Sequence, residues 1–285
     1  MELSAWFENL LFGDPDGDRP TGGDRPEKSA PVVVTVIGSG GKTSLIWHLA
    51  ASLAQSRRIL VTPTTKMLVP PPEEKLYDRY CNANSLRDAN SLHNANTLCD
   101  GLPPAPFPGV TLVGQFNEAI GKLESLPLPA LSKLISDYDL TLIEGDGSKG
   151  LPLKGWTEYE PVVPDFTTLT IGVLPLWPLG KQISEDLIFR LPLFLSLTGA
   201  DAGETLKPER IIALITSGEG KGESGSPGGL FAKARGKRLL FFNQVEDDGA
   251  LGQAQEIAVL LPPDFRDGLC GIIAGSVQKA CCEEI

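Results

Sequence analysis

The sequence has no apolar run of the ~18 residues that a membrane-spanning helix needs, and it has no excess of positive charge. Its 285 residues include 25 Lys and Arg against 36 Asp and Glu, for a formal net charge of -11. Nucleic acids and anionic membranes are bound through basic patches, so neither is expected as a partner. The opening residues, Met1 to Ser4, lack the basic start of a secretory signal, and we expect a cytoplasmic protein.

Cysteine and histidine are also scarce. Five Cys and 2 His are present, and the cysteines lack the C-x-x-C spacing of a zinc site. We therefore expect no permanently bound transition metal and a reducing compartment. The adjacent pair Cys281-Cys282 is interpreted as part of an exposed C-terminal tail.

The sequence does contain an alternation of β-branched apolar runs and helix-forming stretches. Such runs are typical of strands buried on both faces of a parallel sheet, and the alternation predicts an α/β protein with a mostly parallel sheet and helices on both faces. The predicted strands are 31–37, 58–62, 110–113, 140–143, 167–174, 238–243 and 269–275, the last of which closes the sheet. The predicted helices are 3–12, 43–55, a stretch around 131–135, 184–197, 207–215 and 249–260.

The stretches between these elements predict the domain organisation. Residues 1–30 are interpreted as an N-terminal helix and a flexible linker, and residues 31–285 as the main domain. Within that domain, residues 81–108 form a low-complexity, proline-rich insertion that includes the hexads ANSLRD, ANSLHN and ANTLCD. Residues 150–230 are a candidate accessory subdomain, and their glycine-rich segment 217–229 is expected to be a mobile loop.

The strongest motif is GSGGKTS, between the first buried strand and the first long helix of the main domain. Glycines there let backbone N–H groups form a concave anion nest, and the helix N-terminus adds the positive end of its dipole. Lys42 supplies a cation for the β- and γ-phosphates, and the Thr43 hydroxyl is a ligand for Mg²⁺. The predicted nucleotide-binding residues of this P-loop are Gly38, Ser39, Gly40, Gly41, Lys42, Thr43 and Ser44.

The spacing of this loop departs from the standard G-x-x-x-x-G-K-[ST] pattern. Its first glycine would fall at position 36, which is Val36. The loop is the compact form G-x-G-G-K-T, which resembles the short P-loops of Mur-type ligases.

A second motif, LIEGDGSKG at 142–150, places two carboxylates at the end of a buried strand. Glu144 and Asp146 are two residues apart and therefore share a face, at the sheet edge where α/β proteins bind ligands. One carboxylate is expected to hold Mg²⁺ with Thr43, and the other to orient or deprotonate the attacking nucleophile. Lys42, Glu144 and Asp146 are the predicted catalytic residues.

Two further segments follow strands at the same edge. Thr65 and Lys66, in VTPTTKM, carry a hydroxyl and an ammonium that suit a triphosphate or its metal. Asn243, in FFNQVED, begins a run similar to the N-K-x-D motif that binds guanine in GTPases. Gln244 and Glu246 depart from that motif, and an Asn after a strand is also a common turn residue.

Taken in order, these motifs resemble the YqeC family of selenium-dependent hydroxylase accessory proteins. The resemblance covers roughly residues 31–275 and rests on GSGGKTS, LVTPTTKMLVP, LIEGDGSKGLPLKG with YEPVVP, PLGKQI and FFNQVE. Gly145 departs from the family's usual Glu-Ala-Asp-Gly. The positions that match its motifs are Gly38, Gly40, Gly41, Lys42, Thr43, Thr65, Lys66, Glu144, Asp146, Ser148, Lys154 and Glu160.

The resemblance implies a P-loop NTPase-like fold and an NTPase that uses Mg²⁺ and a nucleoside triphosphate, with ATP favoured over GTP. Its implied partner is a selenium-dependent molybdenum hydroxylase, or the proteins that assemble its cofactor, and Lys154 is expected to meet the γ-phosphate or an anionic substrate. Two alternatives stay open. One is a Mur-type small-molecule ligase or kinase that forms an acyl phosphate, and the other is a non-hydrolytic module that delivers a cofactor by changing shape.

Overall fold

The computed structural model describes residues 1–13, 31–83, 108–218 and 228–285. Its helices are α1 (Leu3–Phe12), α2 (Lys42–Leu53), α3 (Leu128–Leu134), α4 (Leu191–Thr198), α5 (Pro208–Thr216), α6 (Asp248–Leu260) and α7 (Pro263–Asp267). Its strands are β1 (Val32–Gly38), β2 (Arg58–Pro63), β3 (Lys66–Leu68), β4 (Arg79–Asn82), β5 (Gly109–Asn117), β6 (Lys122–Glu124), β7 (Leu140–Glu144), β8 (Leu153–Lys154), β9 (Leu169–Pro175), β10 (Ile188–Phe189), β11 (Lys237–Asn243), β12 (Gly271–Ser276) and β13 (Cys281–Glu284).

One large mixed sheet organises the fold, in the order β13-β12-β11-β9-β1-β7-β2-β5-β6-β3, with β4 paired to β5. Strands β12 through β5 in that order are all parallel, and antiparallel pairing is confined to β13 and to β6 with its neighbours. The α/β class and the mostly parallel sheet are therefore confirmed. No helix among the described residues is long and apolar enough to cross a bilayer.

Strand β1 lies at the centre of the sheet, and its position fixes the location of the site. It pairs in parallel with β7, where Val36 faces Glu144, and with β9, where Gly38 faces Val173. Parallel strands end at the same edge of a sheet, so the turns after β1 and β7 lie side by side. Ligand sites in open α/β sheets occur at this carboxyl edge.

Helices cover both faces of the sheet, as the sequence predicts. On one face, Leu3 and Phe7 of α1 and Leu45 of α2 pack into a cluster with inward residues of the central strands. On the other face, α4, α5 and α6 contribute residues such as Phe194, Ile211 and Ile257 to a second cluster. The residues of β1 between Val33 and Ile37 are buried because both faces are covered.

Two predictions about local structure are wrong. The helix predicted over 184–197 begins only at Leu191, because Arg190 has a left-handed backbone (φ 58°) and Ile188–Phe189 pair with Leu153–Lys154 as strand β10. The C-terminal cysteines are not an exposed tail. They lie in β13, which pairs with β12 and closes the sheet in place of the predicted 269–275 strand, and Cys282 is buried.

Parts of several predicted segments lie outside the described residues. These are the linker at 14–30, the insertion at 84–107 and the glycine-rich segment at 219–227. Within 150–230, β9 belongs to the large sheet, whereas β8 and β10 form a separate two-stranded sheet. The division of the chain into domains stays a prediction.

Candidate functional site

The turn between β1 and α2 depends on three glycines with positive φ. Gly38, Gly40 and Gly41 have φ values of 102°, 69° and 122°, a backbone region that L-residues with side chains rarely adopt. Space is restricted as well, since a Cβ on Gly38 would lie 2.1 Å from the carbonyl oxygen of Val173. These three positions of the turn therefore require glycine.

The turn leaves a row of backbone N–H groups unpaired at the start of α2. In the described part of the chain, the amides from Gly40 to Ser44 have no backbone acceptor, whereas those of Gly38 and Ser39 are bonded to Asp146 and Val173. Gly41 is the N-cap of α2 and offers no side chain to satisfy them. Unpaired amides beside the positive end of a helix dipole form an anion site.

Lys42 is folded inward against this loop. Its side chain is buried, and its Nζ donates to the carbonyl oxygen of Gly38 at 2.8 Å and lies 3.4 Å from Oδ1 of Asp146. The ammonium is therefore held against the Gly38 carbonyl and the Asp146 carboxylate, beside the loop.

Thr43 and Glu144 come together from the start of α2 and the end of β7. Thr43 Oγ1 donates to Glu144 Oε2 at 3.0 Å. Burial raises the pKa of Glu144, and the charge of Lys42 and the Thr43 hydrogen bond oppose that rise without cancelling it. A hydroxyl and a carboxylate are the hard oxygen donors that Mg²⁺ takes when phosphates and water supply its other ligands, so this pair fits the predicted metal.

Asp146 is fully buried and surrounded by donors. Its carboxylate accepts from the Gly38 amide at 3.1 Å, from Lys154 Nζ at 3.1 Å and from Trp156 Nε1 at 2.6 Å, besides its contact with Lys42. These donors occupy both oxygens, so Asp146 holds the loop, the β8 segment and the indole of Trp156 in one arrangement. Asp146 therefore lies beside the P-loop, as the sequence predicts, but each of these contacts is to another part of the protein, and its catalytic role stays a prediction.

Lys154 continues this network away from the loop. It is fully buried, and its Nζ donates to Asp146, to the carbonyl oxygen of Gly147 at 2.7 Å and to Glu160 Oε2 at 2.9 Å. Arg190 binds the same Glu160 carboxylate through both of its terminal nitrogens, at 2.6 and 3.1 Å. All three protons of the Lys154 ammonium are therefore engaged by the protein itself.

The remaining predicted residues occupy different places. Ser39 Oγ donates to the carbonyl oxygen of Pro152 at 2.7 Å, and Ser44 is exposed on the first turn of α2. Thr65 has a buried hydroxyl without a hydrogen-bond partner in the described structure. Lys66 is directed to Glu124 on β6, at 3.1 Å, and is half exposed. The structure therefore gathers the P-loop with Glu144, Asp146 and Lys154, but it pairs Lys66 elsewhere.

Asn243 and Trp156 have roles that the sequence did not predict. Asn243, at the end of β11, donates through Nδ2 to the carbonyl oxygen of Gly40 at 2.8 Å and accepts from the Val277 amide at 3.1 Å. These two bonds brace the P-loop against the segment after β12. The FFNQVED run does indicate a polar residue at Asn243, but its pattern suggests base recognition or a turn. The sequence carries no signal for the role of Trp156 beyond its place after LPLK.

A compact glycine loop between a central parallel strand and a helix, with an acid at the end of the neighbouring strand, defines a P-loop NTPase-like fold. A family model described as YqeC protein matches residues 34–192, more than half of the chain. The chain belongs to the YqeC family. It is also 28% identical over 260 residues, or 90% of this chain and 91% of the relative, to a protein of Escherichia coli (strain K12) described as an uncharacterized protein YqeC.

Proposed function

We propose that this protein binds a nucleoside triphosphate with Mg²⁺ and acts on its terminal phosphate. The observation that carries the proposal is the row of unpaired amides from Gly40 to Ser44, beside the buried ammonium of Lys42. A polyphosphate supplies the acceptors that these amides lack, and its negative charge is complementary to Lys42 and the start of α2.

Each residue of the site has a distinct part in this proposal. Thr43 and Glu144 would hold Mg²⁺, which would neutralise charge on the phosphates. Lys42 would exchange its contact with the Gly38 carbonyl for phosphate oxygens. Asp146 and Lys154 would hold the loop in place and would not contact the nucleotide, because their own hydrogen-bonding groups are already engaged by the protein. Besides holding Mg²⁺, Glu144 would be the carboxylate that orients an attacking water.

The proposal extends to which base the nucleotide carries and which client protein is served. Asn243 is committed to the Gly40 carbonyl oxygen and the Val277 amide, so its side chain does not stand free to contact guanine in the way that the Asn of N-K-x-D does. This supports ATP over GTP. Maturation of a selenium-dependent molybdenum hydroxylase is the role that the resemblance implies, and it stays a prediction.

A thermal-shift screen of ATP, GTP and CTP, each with and without Mg²⁺, tests the proposal. A ligand at ~100 times its dissociation constant adds about 2.7 kcal/mol to the free energy of unfolding. Stabilisation that requires both nucleotide and Mg²⁺, and that Lys42→Ala removes, supports the proposal. No stabilisation by any of the three would contradict it.

Phosphate release then separates the three activities left open by the sequence. An NTPase releases phosphate from the nucleotide alone or with its client hydroxylase. A ligase or kinase stays near background until its small-molecule acceptor is added. A non-hydrolytic delivery module binds nucleotide tightly and releases none under either condition. Because both Asp146 oxygens are engaged, Glu144 is the predicted carboxylate that we expect to orient the attacking group in the first two cases.

A further inference from the structure

A cavity of about 700 Å³ lies at the same edge of the sheet as the P-loop. It is bounded by the segments that follow β9, β11 and β12 and by the first turns of α6. Its volume is within the ~300–1,000 Å³ range of small-molecule sites. None of its lining residues has a part in the phosphate site described above, so its role requires a separate explanation.

The cavity begins one residue away from the P-loop on two strands. Pro175, whose ring packs against Gly40, is followed by Leu176 of the cavity wall. Asn243, which donates to the Gly40 carbonyl, is followed by Gln244 of the wall. Consecutive Cα atoms are ~3.8 Å apart, so a ligand with its phosphates on the loop has this cavity as its neighbouring space.

The chemistry of the wall suits the uncharged end of such a ligand. The described residues that line it include Gln244, Gln253 and Gln278, the carboxylates of Glu246 and Asp247 and the indole of Trp177, but no Lys or Arg. A phosphate is not matched by that set. A flat, uncharged group that both donates and accepts hydrogen bonds is matched, because a glutamine amide does both.

Trp177 is the aromatic surface of the cavity. It is 43% exposed although it is a large apolar side chain, and Lys181 Nζ lies 4.0 Å from its ring centroid. An exposed indole beside amide side chains is an arrangement that stacks on a nucleic-acid base, since every base has a π-face.

We propose that this cavity binds the nucleoside part of the nucleotide, with the base stacked on Trp177 and its edge or ribose hydroxyls bonded by Gln244, Gln253 and Gln278. This inference rests on the proposed function and deepens it. It also assigns selectivity for nucleotides over inorganic polyphosphate to residues that lie outside the P-loop.

Calorimetric titration with two probes tests it. One probe is Mg²⁺ with inorganic tripolyphosphate, which fills only the loop, and the other is Mg²⁺ with each nucleoside triphosphate. The variants are Trp177→Ala, Trp177→Phe and Gln253→Ala. Gln255→Ala is the matched control, because Gln255 is exposed on the same helix and does not line the cavity. Circular dichroism and the melting temperature check that each variant is folded.

We expect the native protein to bind at least one nucleotide more tightly than tripolyphosphate. Trp177→Ala should weaken nucleotide binding at least about fivefold, and Gln253→Ala should weaken it as well. Both variants should leave tripolyphosphate binding unchanged, while Trp177→Phe and Gln255→Ala stay near native. Equal affinity of the native protein for both probes, or equal losses of both in Trp177→Ala, would overturn this inference and leave the proposed function standing. If the native protein binds neither tripolyphosphate nor any nucleotide, both this inference and the proposed function are overturned.

Discussion

Asn243 donates its side-chain amide to the carbonyl oxygen of Gly40, a residue 203 positions earlier in the chain, at 2.8 Å. The same side chain accepts from the Val277 amide, so it ties the P-loop to the segment after β12. The loop is thereby connected to the ends of two other strands, β11 and β12. Its geometry is a property of the whole sheet edge and not of the glycines alone.

Replacement of Asn243 by Asp separates its two bonds. Asp keeps an acceptor for the Val277 amide but loses the donor to Gly40 and places a carboxylate against a carbonyl. Leaving one buried polar partner unpaired costs about 1–3 kcal/mol. We expect Asn243→Asp to weaken Mg²⁺–nucleotide binding about tenfold or more by calorimetry. Native affinity in this variant would show that the brace has no part in binding.

A methyl group added to Gly40 tests the loop conformation directly. Gly40 has φ 69°, and a Cβ there would lie 2.4 Å from the Pro175 ring. We expect Gly40→Ala to lose nucleotide binding and to lower the free energy of unfolding by about 1–3 kcal/mol. Gly252→Ala is the control, because Gly252 lies on the exposed face of α6 and nothing lies within 4 Å of its added Cβ. That variant should gain about 0.5–1 kcal/mol in urea denaturation.

The central strands and the P-loop were predictable because their signals are local. The buried β-branched run 31–37, the glycines and the Lys-Thr pair are adjacent in the chain, and each constrains the next. Glu144 and Asp146 were placed at the correct edge because parallel strands end together. Their different roles were not predictable, since Asp146 is defined by donors from Gly38, Lys154 and Trp156.

Asp146→Asn tests the buried charge network. The variant keeps the shape but leaves Lys154 and Lys42 without that carboxylate, and removal of one partner from a buried pair costs about 3–5 kcal/mol. We expect a loss of that order in urea denaturation, together with weaker nucleotide binding. Asp165→Asn is the control, because its ion pair with Arg235 is exposed, and its denaturation midpoint should match the native one. Equal stability of both variants would contradict a structural role for Asp146.

Glu144 gives the apo protein a defined pH dependence. Burial raises its pKa in the folded state, so protonation favours folding. Its favourable contribution is complete below the unfolded-state pKa and is lost as the pH rises through the folded-state value. We therefore expect Glu144→Gln to melt above the native protein at pH 8, with the difference shrinking toward pH 5, and to lose Mg²⁺-dependent binding.

The control for this comparison is Glu256→Gln, on the exposed side of α6. Its melting temperature should follow the native value throughout the same pH range. A Glu144→Gln protein that melts below the native one at pH 8 would mean that the carboxylate stabilises the fold, contrary to its buried setting.

Elements defined by distant contacts were missed for a common reason. Strand β13 exists because it pairs with β12, and the late start of α4 reflects the left-handed backbone of Arg190, whose guanidinium binds Glu160. Neither pairing leaves a periodic pattern in the sequence. The contact between Asn243 and Gly40 is of the same kind, since a short run after one strand does not reveal which loop it will meet.

Calorimetric titration of the native protein and of Lys42→Ala with Mg²⁺–ATP, followed by the other nucleoside triphosphates, tests the central claim most directly. The account predicts saturable binding at one site in the native protein. It predicts at least about a tenfold loss in Lys42→Ala, because charge-assisted bonds to phosphate contribute about 1.5–3 kcal/mol. Equal affinity in the two proteins, or no binding of any nucleotide by the native one, would contradict it.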